Sequence, residues 1–420
     1  MRLAVVLILV FSATTSVADP AAARADLRAV LGDTVLAAPQ YYPVPEMDRG
    51  SIKAIFYDAL PYGGHPTRAF AYLAVPQVPA GQKIPAMVLV HGGGGTAFHE
   101  WAKVWYDKGY AAIAMDLEGQ IPQNDYPHRP RHAFSGPVRT GMFDDEAKPR
   151  TEQWMYHAVA DIMLANSLLR ALPEVDPERI GLTGISWGGV LTSLTAGVDD
   201  RFVFTAPVYG CGYLYDSKGY FNRMGAQDEP TLELRKYWDP ARYFTDAPMP
   251  MLWVNGDNDP HFSVDTLSRS HVSAGPESIL SIHPKMPHGH GVSWEPDRVP
   301  EIYALADHLL KGTGAALTRI TRQPEAAEDG TVVLHYEGEQ PVASATLYYL
   351  AAALEYAQSE EKKHLDLVQQ FEAAEARLDP ATKTVTASLP EGCTWYYINL
   401  IDDRGCIVSS ALSGHRPSGR

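Results

Sequence analysis

Cysteine is scarce. Three in 420 residues cannot build a disulfide scaffold, and Cys211, Cys393 and Cys406 show none of the paired spacings that hold a zinc ion. A turn at Asp402–Gly405 would place Cys406 opposite about residue 401 rather than opposite Cys393, so hairpin register speaks against that pair. All three are expected to be free or buried. Basic charge is also short: 35 Lys and Arg against 50 Asp and Glu leave a net charge of −15, with no basic patch to release counterions from a nucleic acid or to settle on an anionic membrane. Long apolar runs are missing beyond the first eleven residues, and that first run is too short to span a bilayer. Internal repeats are absent too. None of this fixes an oligomeric state.

What is present begins with a leader. Arg2 gives a positive start, Leu3–Phe11 an apolar stretch, and Ser16-Val17-Ala18 a small-residue end, which together read as a secretory signal peptide over residues 1–18. The protein is therefore expected to be secreted or periplasmic. From about residue 51 to 312, short β-rich runs alternate with longer amphipathic segments. Apolar runs such as Ala86-Met-Val-Leu-Val90 suit strands buried on both faces, so the region predicts a doubly wound, mostly parallel α/β sheet in a unit spanning residues 19–313. Beyond Lys311-Gly-Thr-Gly314 the pattern turns to period-two alternation in Thr331–Tyr336, Ala343–Leu350, Thr382–Leu389 and Thr394–Ile401. That predicts an all-β, sandwich-like unit over 314–420. Ala351–Leu378 is helical by propensity, and strand context is expected to override part of it.

The chemistry centres on Gly184-Ile185-Ser186-Trp187-Gly188, which follows the strand candidate Arg179–Ile185 and opens the helix candidate Trp187–Gly197. A serine hydroxyl attacks a carbonyl only if a sharp strand-to-helix turn lifts it toward a base, and flanking glycines permit that turn. Upstream, strand Pro85–Val90 runs into His91-Gly-Gly-Gly-Gly95. Four successive glycines suit an oxyanion hole, where backbone N–H groups must approach a developing alkoxide closely. Gly93 and Gly94 are the candidate donors, with the N–H of Trp187 as the third. A phosphate cradle would need Gly-Lys-Ser/Thr, which is absent.

The remaining partners follow in the chain order Ser, Asp, His. Strand Pro250–Asn255 leads to Gly256-Asp-Asn-Asp-Pro260, where both Asp257 and Asp259 qualify as the acid that orients an imidazole. Asp259 is favoured because the turn has by then come round toward the next loop. Strand Ser278–His283 leads to Pro284-Lys-Met-Pro-His288-Gly-His290-Gly291. His288 is favoured as the base, with His290 the alternative. The set implies acyl transfer to Ser186 and then to water, with no metal and no cofactor.

With these residues in place the chain resembles the α/β-hydrolase superfamily, and within it secreted bacterial dienelactone-hydrolase-like and acetylxylan-esterase-like proteins. The resemblance rests on His91–Gly95, Gly184–Gly189, Trp253–Pro260 and Met286–Gly291 and covers about residues 51–312. It implies a serine esterase with Ser186, Asp259 and a histidine of the Met286–Gly291 loop. The loop Asp116–Gln120 is similar to the Arg-Gly-Gln-Gly loop of acetylxylan esterases, but Glu118 stands where they have arginine and Ile121 where they have the last glycine. Trp187 replaces their usual glutamine. The carboxyl-terminal part resembles fibronectin-III or immunoglobulin-like accessory domains.

Segments 118–151 and 211–245 interrupt the strand–helix alternation and carry aromatics, among them Tyr126, Phe134, Phe143, Tyr213, Tyr220, Phe221 and Trp238. Aromatic faces at a pocket rim suit a sugar, so a small-molecule or polysaccharide ester is the expected substrate. Two other readings stay open. A prolyl-oligopeptidase-like serine peptidase shares the triad order, although the stretch before the first strand is too short for the propeller such enzymes carry. A binding protein that keeps a hydrolase scaffold without catalysis is the other.

Overall fold

The computed structural model describes residues 20–141, 144–218, 237–245, 247–291, 295, 297–358 and 365–415. The leader expected over residues 1–18 lies outside the described residues, as do Phe143, Tyr220 and Phe221.

The amino-terminal strands are β1 (Tyr41–Pro43), β2 (Lys53–Tyr62), β3 (His65–Ala74), β4 (Ile84–Val90), β5 (Ala111–Met115), β6 (Val175–Ile185), β7 (Phe204–Val208), β8 (Leu252–Gly256) and β9 (Ile279–His283). They form one sheet in the order β1-β2-β3-β5-β4-β6-β7-β8-β9. β1, β2 and β3 pair antiparallel, and β3 meets β5 antiparallel. From β5 to β9 the ladders are parallel, with Val88 opposite Ile113 and Leu182, and Gly256 opposite His283. Every residue of β4, β5, β7 and β8 is buried, as the continuous apolar runs predict for strands covered on both faces.

The helices follow their apolar stripes. α1 (Pro20–Leu31) lies in a stretch from which the sequence suggested no element; Leu27 and Leu31 are its anchors. α2 (His99–Asp107) buries Trp101 and Trp105. α3 (Trp154–Ala171) is buried almost all round, because the sheet covers one side and the amino-terminal segment the other. Tyr156 there donates to the Val30 carbonyl, and Ser167 to that of Val35. α4 (Trp187–Ala196) is wholly buried behind the Ser186 turn.

The second sheet contains β10 (Arg319–Ala326), β11 (Thr331–Glu337), β12 (Val342–Leu350), then β15 (Glu372–Asp379), β16 (Thr384–Ser388), β17 (Trp395–Asp402), β18 (Ile407–Ser409) and β19 (Ser413–Gly414); β13 (Tyr356–Gln358) and β14 (Leu365–Leu367) form a separate pair. Its order is β10-β11-β16-β15-β12-β17-β18, with β19 on β17, and β10 approaches β18 so that the sheet rolls toward closure. Val332, Leu334, Leu347, Val385 and Ile398 fill the inside. Helix propensity in 351–378 loses throughout the described part of that stretch. β15 ladders with both β12 and β16, and Leu354, Leu367 and Phe371 bury in the main core, contacts a surface helix there would forfeit. All three cysteines are free and buried.

The two sheets share a seam along β9. The Ile282 N–H donates to Ser409 Oγ at 2.7 Å, Asn399 Nδ2 donates to the Ile282 carbonyl at 2.9 Å, and Ser409 Oγ donates to Asn399 Oδ1 at 2.6 Å. Side chains of the second sheet thus satisfy the backbone of an edge strand that would otherwise present open hydrogen-bonding groups. Tyr397 Oη adds a 3.0 Å bond to Asp257 Oδ2, just past β8. Among the described residues no helix is long and apolar enough to cross a membrane.

Candidate active site

Four loops at the carboxyl ends of parallel strands converge, the position where an open α/β sheet binds ligands. Ser186 sits past β6 with φ 56° and ψ −117°, a conformation few side chains adopt. The surroundings hold it there: its N–H donates to the Val208 carbonyl at 2.8 Å, and its carbonyl accepts from the Val190 N–H at 3.0 Å. The flanking glycines are sterically required. A Cβ on Gly184 would lie 2.3 Å from the Gly188 carbonyl oxygen, and one on Gly188 would lie 2.1 Å from that of Val90.

His288 lies between Ser186 and Asp259. Its Nε2 is 3.0 Å from Ser186 Oγ and its Nδ1 is 2.7 Å from Asp259 Oδ2. Asp259 is fully buried, which alone would raise its pKa. The His288 charge and hydrogen bond outweigh burial, helped by the Phe262 N–H, and hold the carboxyl below the usual range. Tyr209, just past β7, carries the imidazole on its ring at 4.5 Å between centroids and donates to the Pro287 carbonyl. His261 stands on another side at 4.4 Å. Asp259, His261 and His288 offer ligand atoms within 4.8 Å of one another, but two of the three are engaged in the Ser186–His288–Asp259 chain.

The other sequence candidates part company here. Asp257 accepts the Lys285 N–H and the Tyr397 hydroxyl, which ties it to the seam between the sheets. His290 engages the glycine loop: its Nε2 accepts the Gly92 N–H at 3.2 Å and its ring packs on Phe98. Gly92 is the glycine nearest the elbow, since a Cβ there would lie 2.9 Å from Ser186 Cβ. The Gly92 N–H is given to His290, which leaves Gly93 as the next candidate donor along the loop. Gly93 lies against Trp187, and Gly94, at φ +70°, faces the Tyr126 ring. Arg129 Nη1 holds the carbonyls of Gly94 and Gly95, each at 2.7 Å. His91 fixes the base of the loop, donating from Nδ1 to the Gly92 carbonyl and accepting the Leu117 N–H on Nε2. Sequence reasoning missed Tyr209, Arg129 and Arg139. Tyr209 could have been found from its place beside β6, at the end of the next strand.

Burial drives His91 and His290 down to about 4, and it acts likewise on His132 and His271. Each is neutral in the fold but gains a proton near 6.5 when unfolded, so the unfolded chain binds more protons below that pH. Their stabilisation is complete above pH 6.5 and is lost as pH falls toward 4. Burial raises Asp116 and Asp239 to about 6, and these act oppositely over the same range, so the histidine contribution is read as a difference. The stability advantage of the parent over a His91→Gln/His290→Gln variant in urea is expected to shrink from pH 7 to pH 5. An advantage that does not change with pH would refute the assignment. Asp259 acts in the same sense as the histidines, its stabilisation being lost as pH falls, but below its ordinary carboxylate range and outside this window.

This sheet order, with its elbow and convergent loops, is that of the α/β-hydrolase fold. The match to solved structures agrees: an acetyl xylan esterase from Paenibacillus sp. R4 superposes with a TM-score of 0.52 at 18% identity, over 65% of this chain and 89% of that one. Acetyl xylan esterase 1 from Thermoanaerobacterium sp. JW/SL YS485 gives 0.50 at 16% identity over the same shares. Residues 38–246 match the family described as Acetyl xylan esterase (AXE1). Over that stretch, just under half of the chain, the sequence is similar to acetyl xylan esterases. Two curated proteins are also similar. The acetyl esterase Axe7A of Xylanibacter ruminicola is 25% identical over 228 residues, covering 50% of this chain and 51% of that protein. The uncharacterized peptidase YuxL of Bacillus subtilis is 23% identical over 220 residues, covering 49% and 31%. The chain therefore spans about a third to a half of the length of these curated relatives.

Proposed function

We propose that the protein is an exported serine ester hydrolase that removes acyl groups, acetyl foremost, from carbohydrate. The observation that carries this reading is the hydrogen-bonded chain Ser186–His288–Asp259 set across the ends of β6, β8 and β9. As Ser186 Oγ attacks the ester carbonyl, His288 Nε2 takes its proton and Asp259 stabilises the imidazolium. The N–H groups of Gly93, Gly94 and Trp187 receive the alkoxide. Collapse expels the alcohol, which takes the proton from His288. Water, deprotonated by the same imidazole, then releases the carboxylic acid and restores Ser186.

The likeness to acetyl xylan esterases and to an acetyl esterase supports acetyl transfer from sugars, and the leader read in residues 1–18 supports export. Tyr126 over the glycine loop supplies an aromatic face for a sugar ring. The similarity to a peptidase supports a second reading, amide hydrolysis by the same residues. A panel of acetylated xylo-oligosaccharides, aryl acetates and peptide anilides separates the two. Acetate release with inert anilides is expected; faster anilide cleavage would replace esterase by peptidase.

A further inference from the structure

Glu118 replaces an arginine in the loop similar to that of acetylxylan esterases, yet the space beside the glycine loop holds a guanidinium from elsewhere in the chain. Arg139 lies over the Trp187 ring, with Cζ 5.2 Å from its centroid, and 6.0 Å from that of Trp154; the two indoles meet edge to face at 5.6 Å. A Cβ built on Gly93 would be 3.1 Å from Arg139 Nη2 and 2.9 Å from Trp187 Cδ1, so this nitrogen stands beside the residue assigned to the oxyanion. The guanidinium is only partly engaged by the protein. Nη1 donates to the Gly141 carbonyl, Nε faces Glu118 Oε1 at 3.5 Å, too long for a good hydrogen bond, and no acceptor among the described residues is paired with Nη2. The side chain keeps 17% of its surface exposed, so a ligand can reach it. A half-buried guanidinium on an aromatic wall, one nitrogen unspent, fits a planar carboxylate better than any neutral group. Arg129, bonded to the Gly94 and Gly95 carbonyls, adds a second positive charge on the same side, in a chain that is otherwise strongly acidic.

We propose that Arg139 selects ester substrates that carry a carboxylate within a few bonds of the reacting carbonyl, as an acetylated acidic sugar does. The proposal rests on the esterase reading above and names its substrate class.

The test compares matched esters that differ in charge. On the acyl side the pair is mono-4-nitrophenyl succinate and 4-nitrophenyl 4-methylpentanoate. On the alcohol side it is 4-acetoxybenzoate and 4-methylphenyl acetate. The parent protein is expected to favour the anionic member of at least one pair by about 10- to 100-fold in kcat/KM. That ratio should shrink as added salt screens the charge. In Arg139→Gln the ratio should fall by a similar factor, and Arg139→Lys should restore part of it. A guanidinium that merely props Trp187 and Glu118 would lower both members of a pair together and leave the ratio unchanged, which overturns the proposal. So does a parent protein that prefers the neutral ester in both pairs, a reading that needs no variant to fold. If none of the four esters is hydrolysed and a fluorophosphonate leaves Ser186 unlabelled, the esterase reading itself fails.

Discussion

Replacing Ser186 with alanine is expected to lower kcat for aryl acetate hydrolysis by about 10⁴- to 10⁶-fold while KM changes little, because the hydroxyl contributes to the reacting bond and not to ground-state binding. The residue should also stop reacting with a fluorophosphonate, which labels the parent protein once per chain. The fold has little reason to change. Backbone bonds to Val208 and Val190 hold the turn, and the glycines at 184 and 188 give it room; the hydroxyl itself bears on none of these. An alanine at φ 56° is no worse placed than the serine it replaces. Circular dichroism and a urea midpoint close to the parent's would show that turnover was lost from chemistry. Retained turnover in a folded Ser186→Ala protein would sink the proposed nucleophile.

The second large effect separates two histidines two residues apart. His288→Ala removes the group that takes the Ser186 proton, so kcat should fall by about 10⁴-fold or more. His290→Ala should cost about tenfold or less in kcat and should instead lower stability. It deletes the acceptor of the Gly92 N–H and the ring packed on Phe98, leaving a buried donor unpaired at a cost of about 1–3 kcal/mol. Steady-state kinetics and urea unfolding on both variants would decide it. The opposite ranking would mean that the loop rearranges when substrate binds.

Much of this was legible in the chain. Continuous apolar runs such as Ala86–Val90 gave the parallel strands, since a strand covered on both faces has no polar side to alternate. The elbow was readable because its glycines answer a steric demand, as the 2.1 Å approach to Val90 at Gly188 shows. The order Ser186, Asp259, His288 followed from placing each candidate after a strand. His288 and His290 could not be told apart securely, because the difference lies in long-range ring packing, against Tyr209 in one case and Phe98 in the other. Arg139 carries no signal in sequence at all. It sits in an irregular segment, where neither period nor motif says which way a side chain points. Residues 351–378 misled by composition: Glu, Lys and Ala favour helix in isolation, but ladders on both sides of β15 are worth more.

The seam along β9 has a consequence for rate. Ser186 and the glycine loop belong to the middle of the main sheet, on β6 and β4, whereas Asp259 and His288 hang from β8 and β9. The second sheet grips that latter pair of strands, through Tyr397 on Asp257 and through Asn399 and Ser409 on Ile282. The 3.0 Å contact between His288 and Ser186 therefore joins the strands that the second sheet grips to the middle of the same main sheet. A second sheet that works loose is expected to draw Leu354, Leu367 and Phe371 out of the main core and to slow the proposed reaction by spoiling the aim of His288.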